Sequence, residues 1–126
     1  MKKMLHPEIN VVKNLTKKTV LGTRPIVLRS TLSQALGLMF RKSPECMIFL
    51  FQSPRIVRMH MMFVFFPIDI IALDGSGKVV ALVERLLPWR LWNPGVRASA
   101  VVELPQGTIS STKTQVGDQI KLRFSL

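Results

Sequence analysis

Short apolar runs alternate along this chain with charged breaks and with breaks that carry glycine or proline. "CMIFLF" (46–51) lies between "KSPE" and "QSP", and a run of that length with those breakers predicts a buried strand. "RIVRMHMMFVF" (55–65) predicts another, ended near Pro67, which has no N–H to donate to a ladder. "IDIIAL" and "KVVALVERL" flank "DGSG" (74–77), which predicts a hairpin because Asp and Gly suit a tight turn. "TVLGTRPIVLR" (19–29) reads as two extended pieces around a Gly-Thr turn. "INVV" (9–12), "ASAVVEL" (98–104) and the end of "VGDQIKLRFSL" (116–126) complete the strands, and "PWRLWNPG" (88–95) is a proline-bounded loop.

Only one segment has a clear helical period. In "STLSQALGLMFRK" (30–42), Thr31 and Gln34 have capping-box spacing, and Leu32, Ala35, Leu36 and Met39 make an apolar stripe. Gly37 either ends this helix or permits a close approach. "PQGTISST" (105–112) predicts one or two further turns, with Pro105 at the first helical position. The sum is an α+β domain, predominantly antiparallel β, with about seven short strands, one clear helix and one short helix. So many short strands predict a sheet curled into a partly closed, barrel-like form. Residues 1–18 read as a basic N-terminal arm and residues 19–126 as a single compact β-rich domain.

Composition narrows the function classes. The 126 residues suit one domain, and 48% of them are hydrophobic, so either both sheet faces are covered or some apolar surface meets a partner or a second copy. A single cysteine, Cys46, excludes an internal disulfide. With only His6 and His60 beside it, no metal site and no cofactor are expected. No apolar core of a signal peptide follows Lys2 and Lys3, and the charge-free run from Met59 to Ile68 is too short to span a membrane, so the cytoplasm is expected. Eighteen Lys and Arg against seven Asp and Glu leave a charge of +11. That imbalance favours anionic partners, namely nucleic acid, phosphates, acidic lipid or acidic protein, and a small anionic ligand or an acidic protein is expected first. Nucleic acid is not favoured, because no strand interleaves aromatic with basic residues. No phosphate-binding loop, zinc-protease motif or nucleophile elbow is present.

"GLMFRKSPE" (37–45), "HMMFVFFPIDIIALDGSGKVV" (60–80), "VERLLPWR" (83–90), "ELPQGT" (103–108) and "VGDQI" (116–120) occur in that order. The series resembles the domain-of-unknown-function family numbered 192, also called uncharacterised protein family 0127, over residues 20 to 122. The resemblance implies a compact β-rich domain and no established activity. In bacterial members it often implies export, for which this chain carries no signal. Many members have a basic residue in the helix before "GLM", where this chain has Gln34, Ala35 and Leu36. Many also have an arginine just before "FPID", where this chain has Phe65.

Five residues are candidates for a site: His60, Asp69, Trp89, Arg90 and Glu103. His60 lies in an apolar segment, where an imidazole serves either as a backbone tie or as a ligand contact and proton carrier. Asp69 and Glu103 lie in apolar strands, where a carboxylate must be paired, and an arginine fork is the expected partner. His60 with Asp69 or Glu103 would make an acid–base pair without a nucleophile. Trp89 and Arg90, in the "PWR" loop, either plug the end of the sheet or hold a flat anionic ligand by stacking and charge. Cys46 opens a buried strand and is not expected to be catalytic. The leading expectation is a non-enzymatic binding or interaction module for a small polar or anionic ligand or an acidic partner. The alternatives are a small hydrolase- or isomerase-like enzyme using His60 with a carboxylate, and a nucleic-acid accessory protein using the basic arm.

Overall fold

A strand buried from end to end needs neighbours on both edges and apolar layers on both faces, and β6 (Ile68–Leu73) has all four. The computed structural model describes residues 8–125. In it, β6 belongs to a five-stranded sheet of order β3 (Ile26–Leu28), β4 (Met47–Ile56), β9 (Arg97–Pro105), β6 and β7 (Val79–Leu86). Only the β3–β4 pair is parallel. Ile71 and Leu73 of β6 point to one face with Val102 and Leu104 of β9, and Ile68, Ile70 and Ala72 point to the other with Met47 and Phe49. This alternation follows from the period of two along a strand. Each large apolar side chain so covered contributes about 1.5–3 kcal/mol.

The first face is closed by a three-stranded sheet of order β10 (Ile120–Ser125), β1 (Glu8–Asn14) and β2 (Thr19–Thr23), through Ile9, Val12, Leu21 and Ile120. The strand expected at "INVV" (9–12), within the basic arm, is β1, the middle strand of this sheet, and its Ile9 and Val12 are buried. Lys2, Lys3 and His6 lie outside the described residues. The second face is covered by Leu38, in the turn after a helix, α1 (Thr31–Leu36), and by the segment from Val57 to Val64. A two-stranded ribbon of β5 (Met59–His60) and β8 (Leu91–Trp92) forms the third sheet. The α+β, mainly antiparallel class is as expected, but no sheet closes into a barrel. The five-stranded sheet ends at β3 and β7, which do not pair with each other.

Three local expectations change. The α1 stripe does not face the core: Leu32, Ala35 and Leu36 are exposed, and the helix buries none of its residues. Ser30, not Thr31, caps it by accepting from Ser33 N, and the side chain of Gln34 reaches the carbonyls of Leu28 and Leu50. Residues 55–65 are not one strand. Val57 and Met61 bond instead to Val96 and Arg90, and Phe63 takes a left-handed φ of 57°, which breaks the alternation. The second helix, α2 (Thr108–Thr112), starts after Gly107, and Pro105 ends β9.

The β6–β7 hairpin forms as predicted. Asp74 Oδ1 accepts from the Ser76 hydroxyl, Ser76 N and Lys78 N, which hold its carboxyl below the usual range. Gly77 has φ +88°, and a Cβ there would sit 2.5 Å from the carbonyl oxygen of Ile120. Gly77→Ala is therefore expected to cost about 2–5 kcal/mol, from left-handed strain and a backbone clash. Gly75→Ala, whose Cβ would meet only Ser99 Oγ at 3.5 Å, is expected to be near neutral. Urea unfolding of the two variants checks both, and equal midpoints would contradict the turn geometry.

Candidate functional site

On the α1 side of the sheet the cover is incomplete, and a cavity of about 190 Å³ remains. Phe49, Phe51 and Arg55 of β4, Met59 and His60 of β5, and Glu103 of β9 line it beneath the helix. A more open depression of about 360 Å³ shares Gln34, Phe51 and Arg55 with it and extends to Arg29. Arg58 also lines the first cavity. None of these three arginines forms an ion pair among the described residues, and the Arg55 guanidinium lies 4.8 Å from the centre of the Phe51 ring.

Glu103 is the unusual group. Its backbone pairs with Met47 on one side and Ile70 on the other, both fully buried, and it is itself only 3% exposed. Its Oε1 is buried and has no hydrogen-bond partner. Loss of solvent pushes its carboxyl up to about 8. At neutral pH Glu103 is therefore a protonated acid that can donate a hydrogen bond. The arginine expected beside it is absent among the described ion pairs.

His60 shares the cavity with Glu103 but makes no hydrogen bond to it. Its Nδ1 accepts from Met62 N at 3.2 Å, and its Nε2 lies 3.2 Å from the carbonyl of Ala35. Those two contacts together require the tautomer with the proton on Nε2, which ties β5 to the end of α1. Asp69 stands on the other face of the sheet, in phase with Ile71 and Leu73 along β6. It is completely buried, and its partners are backbone amides rather than the expected arginine. Oδ1 accepts from Arg85 N at 2.9 Å and Oδ2 from Ile109 N at 2.8 Å. The sheet thus separates His60 from Asp69. Trp89 and Arg90 line neither cavity. Trp89 is exposed with its ring edge on Phe63, and the carbonyl of Arg90 accepts from Met61 N. Cys46 packs against the first core layer, and burial pushes its thiol up to about 12, so it stays protonated. Among the described residues no group of three His, Cys, Asp or Glu is placed to hold a metal.

The model of the domain-of-unknown-function family numbered 192, described as uncharacterized ACR, matches residues 14–122. The chain belongs to family 192. A UPF0127 protein of Pyrococcus horikoshii is 37% identical over 94 residues, covering 73% of this chain and 81% of its own. One from Pyrococcus abyssi is 30% identical over 115 residues, covering 90% and 97%. A crystal structure of a Novosphingobium aromaticivorans protein of unknown function superposes with a TM-score of 0.78 at 26% identity, covering 88% of this chain and 81% of that one.

Two of the family-192 segments turn out to be parts of one clamp, because the carboxylate of "FPID" holds the amide that follows "LPQGT". A third, "VGD", anchors the three-stranded sheet. Asp118 accepts from Asn14, Lys17 and Gln115 N. Burial acts to raise its pKa, but these bonds outweigh that and hold the carboxyl low. Lys17, counted above in the basic arm, is thereby paired with Asp118. Arg29, Gln34, Arg55 and Arg58 were not singled out as site candidates from the sequence. Arg29 and Arg55 lie at the ends of apolar runs, Arg58 interrupts one and Gln34 sits in the helix, and the β3–β4 register and the course of β4 and β5 are what gather them.

Proposed function

We propose that this family-192 domain is a non-enzymatic binding module that takes a small ligand with an anionic head in the cavity beneath α1. The observation that carries the reading is Glu103, a buried acid with an unpartnered oxygen at the wall of a cavity whose other charged groups are arginines. A protonated carboxyl donates to an anion instead of repelling it. Arg55, Arg58 and Arg29 supply positive charge that does not titrate. Phe49 and Phe51 offer an apolar wall for the body of the ligand. Catalysis by His60 is disfavoured, because backbone groups occupy both ring nitrogens and Asp69 faces away.

Benzoate, a flat carboxylate, tests this by calorimetric or NMR titration. Binding is expected at pH 6.5 and should weaken about tenfold or more at pH 9.5, where Glu103 becomes an anion. Arg55→Gln with Arg58→Gln should abolish it. Equal affinity at both pH values, or in the double variant, would remove the reading.

A further inference from the structure

Outside both cavities, four exposed aromatic rings touch one another on the surface. Phe40 stacks on Phe63 at 5.0 Å, Trp89 meets Phe63 edge-on at 4.9 Å, and Phe65 tilts toward Phe40 at 6.4 Å. Phe40, Phe65 and Trp89 are each more than half exposed. Met62 and Leu91 nearby in sequence are exposed as well. The rings come from three separate loops, which hydrogen bonds hold together. Phe40 N donates to the Phe63 carbonyl, Trp89 N donates to that of Met61, and Met61 N donates to that of Arg90.

The backbone under this patch is unusual. Phe40, Phe63 and Trp89 have φ of +62°, +57° and +66°, a region that side chains so large rarely enter. Strain of this kind is retained where surrounding structure imposes it, and here it accompanies rings turned toward solvent. Charge is equally one-sided. Residues 36–44, 58–68 and 86–97 contain Arg41, Lys42, Arg58, Arg90 and Arg97 and no Asp or Glu. Among the described residues their one acidic contact is an exposed one, from Arg41 to Glu45 at 3.7 Å.

Those two properties select the occupant. A second copy would bring the same cations against themselves. A peptide helix or strand needs a receiving groove, and these rings line neither cavity. Exposed aromatics in loops that also carry Arg41, Lys42 and Arg90 match the boundary between headgroups and acyl chains of an anionic bilayer. We propose that this surface docks the domain onto an anionic lipid bilayer. Phe40, Phe63, Phe65 and Trp89 enter the headgroup boundary, and Arg41, Lys42 and Arg90 face the anionic headgroups. The proposed contact is peripheral, and no helix among the described residues is long and apolar enough to cross a membrane. The inference is independent of the cavity and its ligand.

Flotation of the full chain with vesicles tests it. The chain should float with phosphatidylcholine vesicles containing phosphatidylglycerol and stay behind with phosphatidylcholine alone. Trp89 emission in a Trp92→Phe background should shift to the blue on binding. Each of Arg41→Gln, Lys42→Gln and Arg90→Gln should lower partitioning about fivefold. Phe65→Ser with Phe40→Asn should abolish the blue shift while keeping the unfolding temperature; Asn tolerates the left-handed backbone. Four results would each overturn the proposal: no preference for phosphatidylglycerol; emission unchanged on binding; an equal loss from the distant Lys113→Gln and Lys121→Gln pair; or a patch that instead mediates dimers in solution.

Discussion

Asp69→Ala is expected to lower the unfolding free energy by about 3–5 kcal/mol, because it strips a fully buried acceptor from one buried and one part-buried amide at once. One amide belongs to Arg85, where β7 bulges against β6 and φ is +53°. The other belongs to Ile109, in the first turn of α2. The carboxylate therefore fixes two irregular backbone sites that no ladder bond serves, and hydrogen bonds to a charged acceptor are among the stronger ones. Asp69→Asn keeps one acceptor and points an NH₂ group at the other amide, so it should fall between the wild type and Ala. Urea unfolding measures the loss, and hydrogen exchange locates it, with the Arg85 and Ile109 amides opening fastest. A loss below about 1 kcal/mol for Asp69→Ala would show that water replaces the carboxylate freely.

That clamp also explains which parts of the fold could be read from the chain. The β6–β7 hairpin was legible because its turn is specified by local groups, Asp74 accepting from Ser76 and Lys78 and Gly77 supplying a positive φ. The helix before "GLM" was legible as a helix but not in its orientation. Leu32 and Leu36 make a convincing stripe, yet Leu38 of the following turn packs in the core instead, Leu32 is exposed, and Leu36 borders the cavity. Asp69 was recognisable as a buried carboxylate. Its partners were not, because a backbone amide has no signature in sequence, whereas an arginine invites the guess. The approach of His60 to Asp69 relied on strands 59–65 and 68–74 pairing around Pro67, but β5 pairs with β8 while β6 pairs with β7 and β9, and the left-handed Phe63 interrupts the first strand. Glu103 could be flagged from a charge inside "ASAVVEL", but its isolation depends on Met47 and Ile70 lying beside it. Trp89 stood out as a loop tryptophan. Its contact with Phe63 and, through that ring, Phe40 joins loops far apart in the chain, and only the fold reveals it.

Glu103 should make stability fall as pH rises, the reverse of what paired surface carboxylates do. Burial raises its pKa from an ordinary 4.5 to about 8 in the folded protein. Below the lower value both the folded and unfolded chains hold the proton, and pH has no leverage through this group. Between the two values the unfolded chain releases a proton that the folded chain keeps, so each step up in pH favours unfolding. Above about 8 both states are ionised and the difference levels off. Measured against Glu103→Gln, which cannot titrate, the wild type should lose about 5 kcal/mol across that window. Urea unfolding of the two proteins at a series of pH values gives the curve, and the difference cancels the other titrating groups. Parallel curves would mean that Glu103 ionises freely in the fold and is not the isolated acid its surroundings imply. A ligand that accepts the Glu103 proton in a hydrogen bond stabilises the protonated form further. Saturating benzoate should therefore move the upper end of the window to higher pH, which ties the stability measurement to occupancy of the cavity.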